Sequence, residues 1–418
     1  MSTLSISTVV ILTVIIIYRI SMNFISRDKA LLWSPITIIS LVFLYYCVWP
    51  ALTPRLYIGY DVEQYALIFN IGALMSYMSI LIGFSLKLKN DWSSWNSLFI
   101  QNNVVKLGLL LFIIGICSYI PFRGLHLNMS SEGEFVEFGR EGFTSYFVNL
   151  ISLFCASCTL LIVKRGVKFR LIFFVILWVS VVTYVVVGFR FRIVILLLSM
   201  MTMYYLYPFP KRINVIIISL LSIIIFLGFG VMDHARSYNN GINMNVAKEL
   251  TLDDVSEGST EAYHVRGFSI LAMNKYYSSG ERVYFEPLIN ALFMPIPRAI
   301  FPWKPNAEYL RTIQFATIQD SESGSTYMNF VESFIAFGWL GIFVNGLFIG
   351  ILAKLFWVNY LNNRSSLGAI LALGLFNGVS YILISRGYLA QEFSCFIYFI
   401  LLPFWFSKFI NKIVKYGR

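Results

Sequence analysis

Residues 367–385 read LGAILALGLFNGVSYILIS, without a charged side chain until Arg386 closes the stretch. Wound as an α-helix at 1.5 Å per residue, it is about 28 Å long, close to the roughly 30 Å hydrocarbon thickness of a bilayer. Working outward from it, comparable stretches cover roughly 4–24, 31–52, 64–86, 103–122, 143–163, 171–189, 193–209, 213–232, 334–356 and 393–407. The last is short and contains Pro403. The spacing predicts an all-α polytopic membrane protein with about 11 (11–12) transmembrane helices and one large structured outer loop. No basic region precedes the first apolar run, which is therefore expected to be a retained span and not a signal peptide. Chain order gives three parts: helices one to eight over 1–232, the loop over 233–332, and helices nine to eleven with a tail over 333–418.

Composition agrees. Of 418 residues, 58% are hydrophobic and 13% charged, with a mean hydropathy of +0.73. A soluble domain has about 45–50% apolar and about 25% charged residues. A disordered chain, a disulfide-stapled secreted domain and an ordinary cytosolic enzyme are thereby excluded. Cys47, Cys117, Cys155, Cys158 and Cys395 all lie in apolar stretches and read as buried thiols. The histidines are His126, His234 and His264, too few and too scattered for a structural zinc site, so no metal and no cofactor is expected.

The net charge of +11 is not spread evenly. With the C-terminal tail in the cytoplasm, the inner connections hold 18 basic and 2 acidic residues, and the outer ones 14 basic and 19 acidic. This is the positive-inside pattern, and it makes nucleic acid an unneeded partner. The inner side has 11 Lys and 7 Arg, the outer side 3 Lys and 11 Arg. Positive-inside does not require that second asymmetry. Arg offers a planar two-point grip on phosphate or carboxylate where Lys is a hydrated point charge, so an outer face rich in Arg suggests bound anionic groups. Pairing with the outer acids is the competing explanation.

Two outer connections are long. The loop at 123–142 carries Glu132, Glu134, Glu137 and Glu141 among glycines and reads as solvated. The segment 233–332 is too long to be structureless in a compact protein. It is polar from Asp233 to Ser259. From Tyr284 to Pro305 it is apolar and aromatic but broken by Pro287, Pro295, Pro297, Pro302 and Pro305, which forbid one continuous helix. Short helices at the outer leaflet are expected there, with Arg298 and Lys304 at phosphate depth; the alternative, compatible with the first, is a hydrophobic plug that packs the helix bundle. The spans show almost no mid-depth charge and no internal repeat, which argues against a proton-coupled or inverted-repeat transporter. Polar chemistry gathers at helix ends instead. Arg190 and Arg192 lie between spans six and seven, where an extended turn would point both the same way; Arg236 lies just beyond span eight, and Arg386 ends span ten.

An Arg-rich outer face on a membrane enzyme suits a lipid-diphosphate sugar donor. The donor brings its own leaving group, and the protein need only neutralise the diphosphate, orient the sugar and accept a proton. Arg190, Arg298 and Arg386 are the expected clamp, with Arg192, Arg236 and Lys304 beside them. Glu332 or His264 is the expected base. For Glu332 the plainer alternative is an acid complementing a helix N-terminus, and for His264 a solvated loop histidine.

The chain resembles the Wzy-type O-antigen and oligosaccharide-repeat-unit polymerases of bacteria. The matching segments are Gly188-Phe-Arg190, the Arg236 region, Ile296-Pro-Arg298-Ala-Ile-Phe-Pro-Trp-Lys304-Pro305, Glu332-Ser-Phe-Ile-Ala-Phe-Gly338-Trp-Leu-Gly341, and Arg386-Gly387. The paired Arg-x10-Gly signatures of some members are absent. The resemblance implies a multi-pass inner-membrane enzyme with a periplasmic active face and a cytoplasmic C-terminus. It implies metal-independent transfer of a growing glycan from one undecaprenyl-diphosphate carrier to the non-reducing end of another carrier-linked repeat. Donor and acceptor would both be undecaprenyl-diphosphate-linked oligosaccharides, and a chain-length regulator protein is a further implied partner. An O-antigen ligase, a lipid-linked oligosaccharide flippase and a non-catalytic subunit of an export complex are the alternatives.

Overall fold

The structure, a computed structural model, describes residues 2–54, 61–88, 190–207, 210–211, 228, 236–237, 241–242, 249–251, 261–293, 296, 301, 303, 327–397 and 401. The expected spans at 103–122, 143–163 and 171–189 lie outside the described residues, as do nearly all of 213–232 and most of 393–407. So do the loop 123–142, Cys117, Cys155, Cys158, Arg298 and Lys304.

The elements are α1 Thr3–Ile25, α2 Pro35–Leu52, α3 Leu67–Ser85, α4 Arg190–Leu206, β1 Arg236–Ser237, β2 Gly241–Ile242, α5 Glu261–Ser279, α6 Glu286–Phe293, α7 Asn329–Asn362, α8 Leu367–Ser385 and α9 Leu389–Phe396. The two short strands pair antiparallel, and the other elements are helical. Helices α1, α2, α3, α7 and α8 are long and apolar enough to cross a membrane. They coincide with five of the expected spans, and the chain is an α-helical membrane protein. Helix α4 is apolar but shorter.

Packing divides the chain into two compact units. One comprises Met1–Asn90, Glu261–Val358 and Val379–Ser394; the other comprises Asp91–Thr260, Asn359–Gly378 and Cys395–Arg418.

In the first unit α1 packs on α2 and α3. Its Val9, Leu12 and Ile16 are buried, while Leu4, Val10, Val14 and Ile17 face outward. Apolar contact alone gains little between helices in lipid, so small residues and polar links must supply the specificity. Asn23 on α1 donates to Thr37 Oγ1 on α2 (2.8 Å), Asn70 on α3 donates to Ser5 Oγ on α1 (2.8 Å), and Ser40 and Tyr77 share a hydrogen bond of 2.7 Å. Small residues let α3 touch the later part of α7 backbone to backbone. A Cβ on Gly83 would strike the Leu347 carbonyl, and one on Gly350 the Ile80 carbonyl.

Helix α2 contains a π-helical turn, Leu44–Val48, followed by Pro50, which has no N–H to give the ladder. The carbonyl of Cys47 in this turn accepts a hydrogen bond from Arg266 of α5 (2.8 Å). Arg266 also donates to both Glu63 oxygens (2.6 and 2.8 Å) and to Asn70 Oδ1 (3.0 Å), and its guanidinium lies 4.9 Å from the Phe69 ring centre. A guanidinium 1% exposed thus pins α5 to α2 and α3. The sequence placed α5 in a polar surface segment. It is a packed nineteen-residue helix.

In the second unit α4 meets the first part of α8. A Cβ on Gly374 or Gly378 would overlap Met203 or Ser199, and Asn377 donates to Thr202 Oγ1 (3.2 Å). Cys47 and Cys395 are buried free thiols, as expected.

Candidate functional site

The site begins with a reversal inside α7. Phe337 (φ −134°, ψ 16°) and Gly338 (φ 64°, ψ −148°) leave the helical region, so α7 is two arms, 329–336 and 339–362. The Gly338 conformation is closed to residues with a Cβ. In a straight helix residues 329 and 345 would stand about 24 Å apart. Here Asn345 donates a hydrogen bond to Asn329 Oδ1, and Gly341 sits against the Ser333 carbonyl. The arms therefore fold back on each other. The break is supported from outside, because Val283 N–H donates to the Ile335 carbonyl (3.2 Å) and the Arg282 guanidinium lies 5.1 Å from the Phe334 ring centre. The expected span 334–356 thus gains a preceding arm and a turn. Gly338 and Gly341, singled out in the sequence, are the residues that allow them.

Against the first arm lies α9. Leu389, its first residue, gives its N–H to Glu332 Oε2 (2.8 Å). The alternative reading of Glu332 as a helix N-terminal acid is therefore met, at the start of α9 as well as in the first turn of α7. Asn329 Nδ2 reaches both oxygens of Glu392 at 2.7 Å. Glu332 and Glu392 are both buried. Burial first, and then the charge of Glu332, holds the Glu392 carboxyl well above the usual carboxylate range, although the Asn329 hydrogen bonds pull the other way. Tyr388 is pushed up to about 12 by burial and by Glu332. Burial raises Tyr327 too, with Glu332, Tyr276, Tyr388 and Glu392 adding to the shift.

A cavity of about 410 Å³ opens on this hairpin. Aromatic and aliphatic side chains, among them Phe285, Leu288, Phe337 and Leu340, form most of its wall, with Asn329, Glu332 and Asn345 as polar groups. Several of its apolar residues, including Tyr284, Leu340, Val344 and Phe348, are exposed.

The turn before α9 carries Arg386. Its Nη2 donates to Glu261 Oε1 (2.8 Å) at the start of α5, and Glu261 also accepts from Tyr46 Oη (3.1 Å), itself 2.5 Å from Tyr381 Oη. Arg386 and Leu389 are three positions apart, so their Cα atoms are at most about 11 Å apart. The turn that carries Arg386 thus ends at the N–H that Glu332 accepts, while the guanidinium itself is turned to Glu261. Gly387 is needed there, since a Cβ would overlap the Tyr327 ring.

The other expected residues divide as follows. His264 is exposed, on helix α5 and not in a loop as anticipated. Arg192 is buried on α4, 5.6 Å from the centre of the Phe191 ring. The helix begins at Arg190, so the extended turn expected to aim Arg190 and Arg192 alike is absent. Residues two apart on a helix point about 200° apart. Beyond their backbone positions in α4 and β1, the side chains of Arg190 and Arg236 lie outside the described residues, as do Arg298 and Lys304. Sequence reasoning missed Glu392, Asn329, Asn345, Glu261, Tyr46 and Tyr381. An acid in the first turn of a short helix was the available signal for Glu392. Among the described residues no group of His, Cys, Asp and Glu suits a metal ion.

No family model, no curated protein and no solved structure matches the chain.

Proposed function

We propose that the chain polymerises lipid-diphosphate-linked oligosaccharide repeats, as the Wzy-type enzymes it resembles do. The reading includes eleven spans, or twelve, in a bacterial inner membrane, with loop 233–332 and the site facing the periplasm and the C-terminus in the cytoplasm. The observation that carries it is the position of Glu332, a buried carboxyl on a reversed helix that lines a largely apolar cavity and accepts the N–H of Leu389, three positions after Arg386. An apolar wall suits a carrier lipid or the flat face of a sugar. A buried carboxyl suits removal of a proton from a hydroxyl.

In the proposed step the acceptor hydroxyl oxygen forms a bond to the anomeric carbon of the donor glycan. The bond from that carbon to the diphosphate breaks, its electron pair leaves with the diphosphate, and the hydroxyl proton passes to Glu332. Arg386 takes charge developing on the diphosphate. Arg386 is already paired with Glu261, so this role requires it to exchange one anion for another; Glu261 and Tyr46 hold the guanidinium in place until then. Arg190, Arg298, Arg236, Arg192 and Lys304 remain the further candidates for the anionic group.

The test is complementation of a polymerase-null strain. Glu332→Gln and Arg386→Ala, expressed at wild-type level in the membrane, should each leave single repeats on the lipid core. Long glycan chains from both variants would overturn the reading. Long chains accumulating on the carrier after loss of the protein would show a ligase instead.

A further inference from the structure

Glu392 has no part in the step above, yet it is buried at its centre. It lies behind the cavity, with Asn329 between, and is 2% exposed. A polar relay leads from the cavity to it: Asn345 donates to Asn329, and Asn329 donates to Glu392. The first turn of α9 handles both carboxyls. Its leading N–H holds Glu332, and Glu392 sits three residues further on, on the same side of the helix.

Two neighbouring carboxyls in a medium of low dielectric do not both ionise. The surroundings decide which one keeps the proton. Glu332 receives a backbone N–H and the positive end of α9, both of which favour an anion. Glu392 does not line the cavity, it accepts from a neutral amide, and its carboxyl is held well above the usual range. Among the described residues, the titratable groups around the pair include Tyr327 ahead of α7, Tyr388 ahead of α9 and Tyr276 on α5, while Arg386 in the turn before α9 is engaged with Glu261. Burial raises all three, so they stay neutral phenols. An independent feature marks the place as one that takes up a further polar atom. The hydroxyl of Tyr327, 2% exposed and beside Glu332 and Glu392, has no hydrogen-bond partner among the described residues.

We propose that Glu392 is the positioning residue of the acceptor site: it keeps the one proton of a coupled carboxyl pair, so that Glu332 faces the cavity as the ionised base. The inference rests on the polymerase reading for its chemistry but not for its structure. Glu392 touches no substrate and acts through Glu332. After the transfer Glu332 holds the acceptor's proton, and release of that proton to water restores the starting pair.

The experiment has two arms on the full-length protein in lipid nanodiscs. In the first, infrared spectra are taken across pH. The wild type should show a protonated-carboxyl C=O band at neutral pH, and Glu392→Gln should remove it. In the second, chain extension is followed with purified lipid-linked repeats. Glu392→Ala should lose it roughly 100-fold or more. Glu392→Gln, neutral and of the same shape, should restore extension and abolish the alkaline limb of the pH profile, because the pair can no longer become doubly charged. A neutral-pH spectrum without the band, or a band that survives Glu392→Gln, overturns the proposal. So does a Glu392→Gln protein that keeps the wild-type pH profile. A band that behaves as stated, in a wild-type protein that extends no chains, overturns the polymerase reading and leaves the carboxyl pair standing.

Discussion

Replacing Arg266 by Met should unfold the protein well before the wild type. The guanidinium is 1% exposed and makes four hydrogen bonds, two of them to Glu63, whose side chain is 7% exposed. Methionine fills much of the same volume over Phe69 but leaves the Glu63 carboxylate buried without its counter-ion, and removes the donor from Asn70 and from the Cys47 carbonyl. Breaking a buried pair by removing one partner costs about 3–5 kcal/mol, a large part of a typical stability of about 5–15 kcal/mol. At an unfolding entropy of about 2.1 cal/mol/K per residue, a chain of 418 residues loses about 1 °C per kcal/mol, so the apparent melting temperature falls by roughly 3–6 °C. The measurement is thermal unfolding of the purified protein in mild detergent, followed by loss of the monodisperse peak. The double variant Arg266→Met with Glu63→Gln removes the stranded charge and should recover more than half of the drop. A single variant melting within a degree or two of wild type, or a double variant no better than the single, would refute the account of how α5 is held.

Three further outcomes follow from other parts of the structure. Gly338→Ala forces a Cβ into a backbone conformation reserved for glycine (φ 64°, ψ −148°) and should cost about 1–3 kcal/mol, read as a lower melting temperature together with weaker chain extension. Glu261→Gln keeps the shape around Arg386 but loses one charge-assisted hydrogen bond, worth about 1.5–3 kcal/mol; the expected result is a less stable protein in which Arg386 is freed for the donor, so that the KM for the lipid-linked donor falls while the melting temperature drops. Glu392 governs a pH dependence of stability. Its folded-state pKa is raised, so the folded protein keeps a proton that the unfolded chain gives up above about 4.5; the stabilising contribution is complete below that value and is lost as pH rises through the folded pKa. Melting temperatures of wild type and Glu392→Gln, taken upward from the reference carboxyl value of 4.5, should therefore diverge, the wild type declining against a flatter variant, and parallel curves would count against the raised pKa.

The spans were legible because lipid makes one demand that sequence displays directly: about twenty apolar residues in a row. α1, α2, α3 and α8 were located within a few residues for that reason. α5 was hidden by the opposite circumstance. Glu261, Arg266 and Lys275 give it a polar composition, yet Glu261 and Arg266 are buried against partners more than a hundred positions away. Nothing local to 261–279 announces Glu63 or Arg386. The α7 reversal was half visible. Gly338 and Gly341 stood out as a pattern, but a turn that folds one helix onto itself leaves the same apolar run as a straight span, and the polar arm 329–336 looked like the end of a loop. Glu332 was readable as a candidate because it sits before an apolar stretch; Glu392 was not, because its meaning comes from the Asn329 and Glu332 it meets across the fold.

That difference bears on how the buried charges divide. The sequence suggested spans almost free of ionisable groups, and the charges that the first unit buries, Glu63, Glu261, Arg266, Glu332 and Glu392, all lie outside the expected spans. Two of these carboxylates have a guanidinium in direct contact, Glu63 with Arg266 and Glu261 with Arg386. Such pairs are neutral as units, and a proton added to either carboxylate must first weaken a two-ion contact. Glu332 accepts a backbone N–H and Glu392 an amide, donors that orient an anion without cancelling its charge. On the coupled-carboxyl proposal, a pair built that way would take up or give up a single proton with little rearrangement of its neighbours, beside the cavity. Structural anchoring and proton exchange thus place different demands on a buried carboxyl. In this unit the Arg-paired carboxylates meet the first demand, and the second falls, on that proposal, to Glu332 and Glu392.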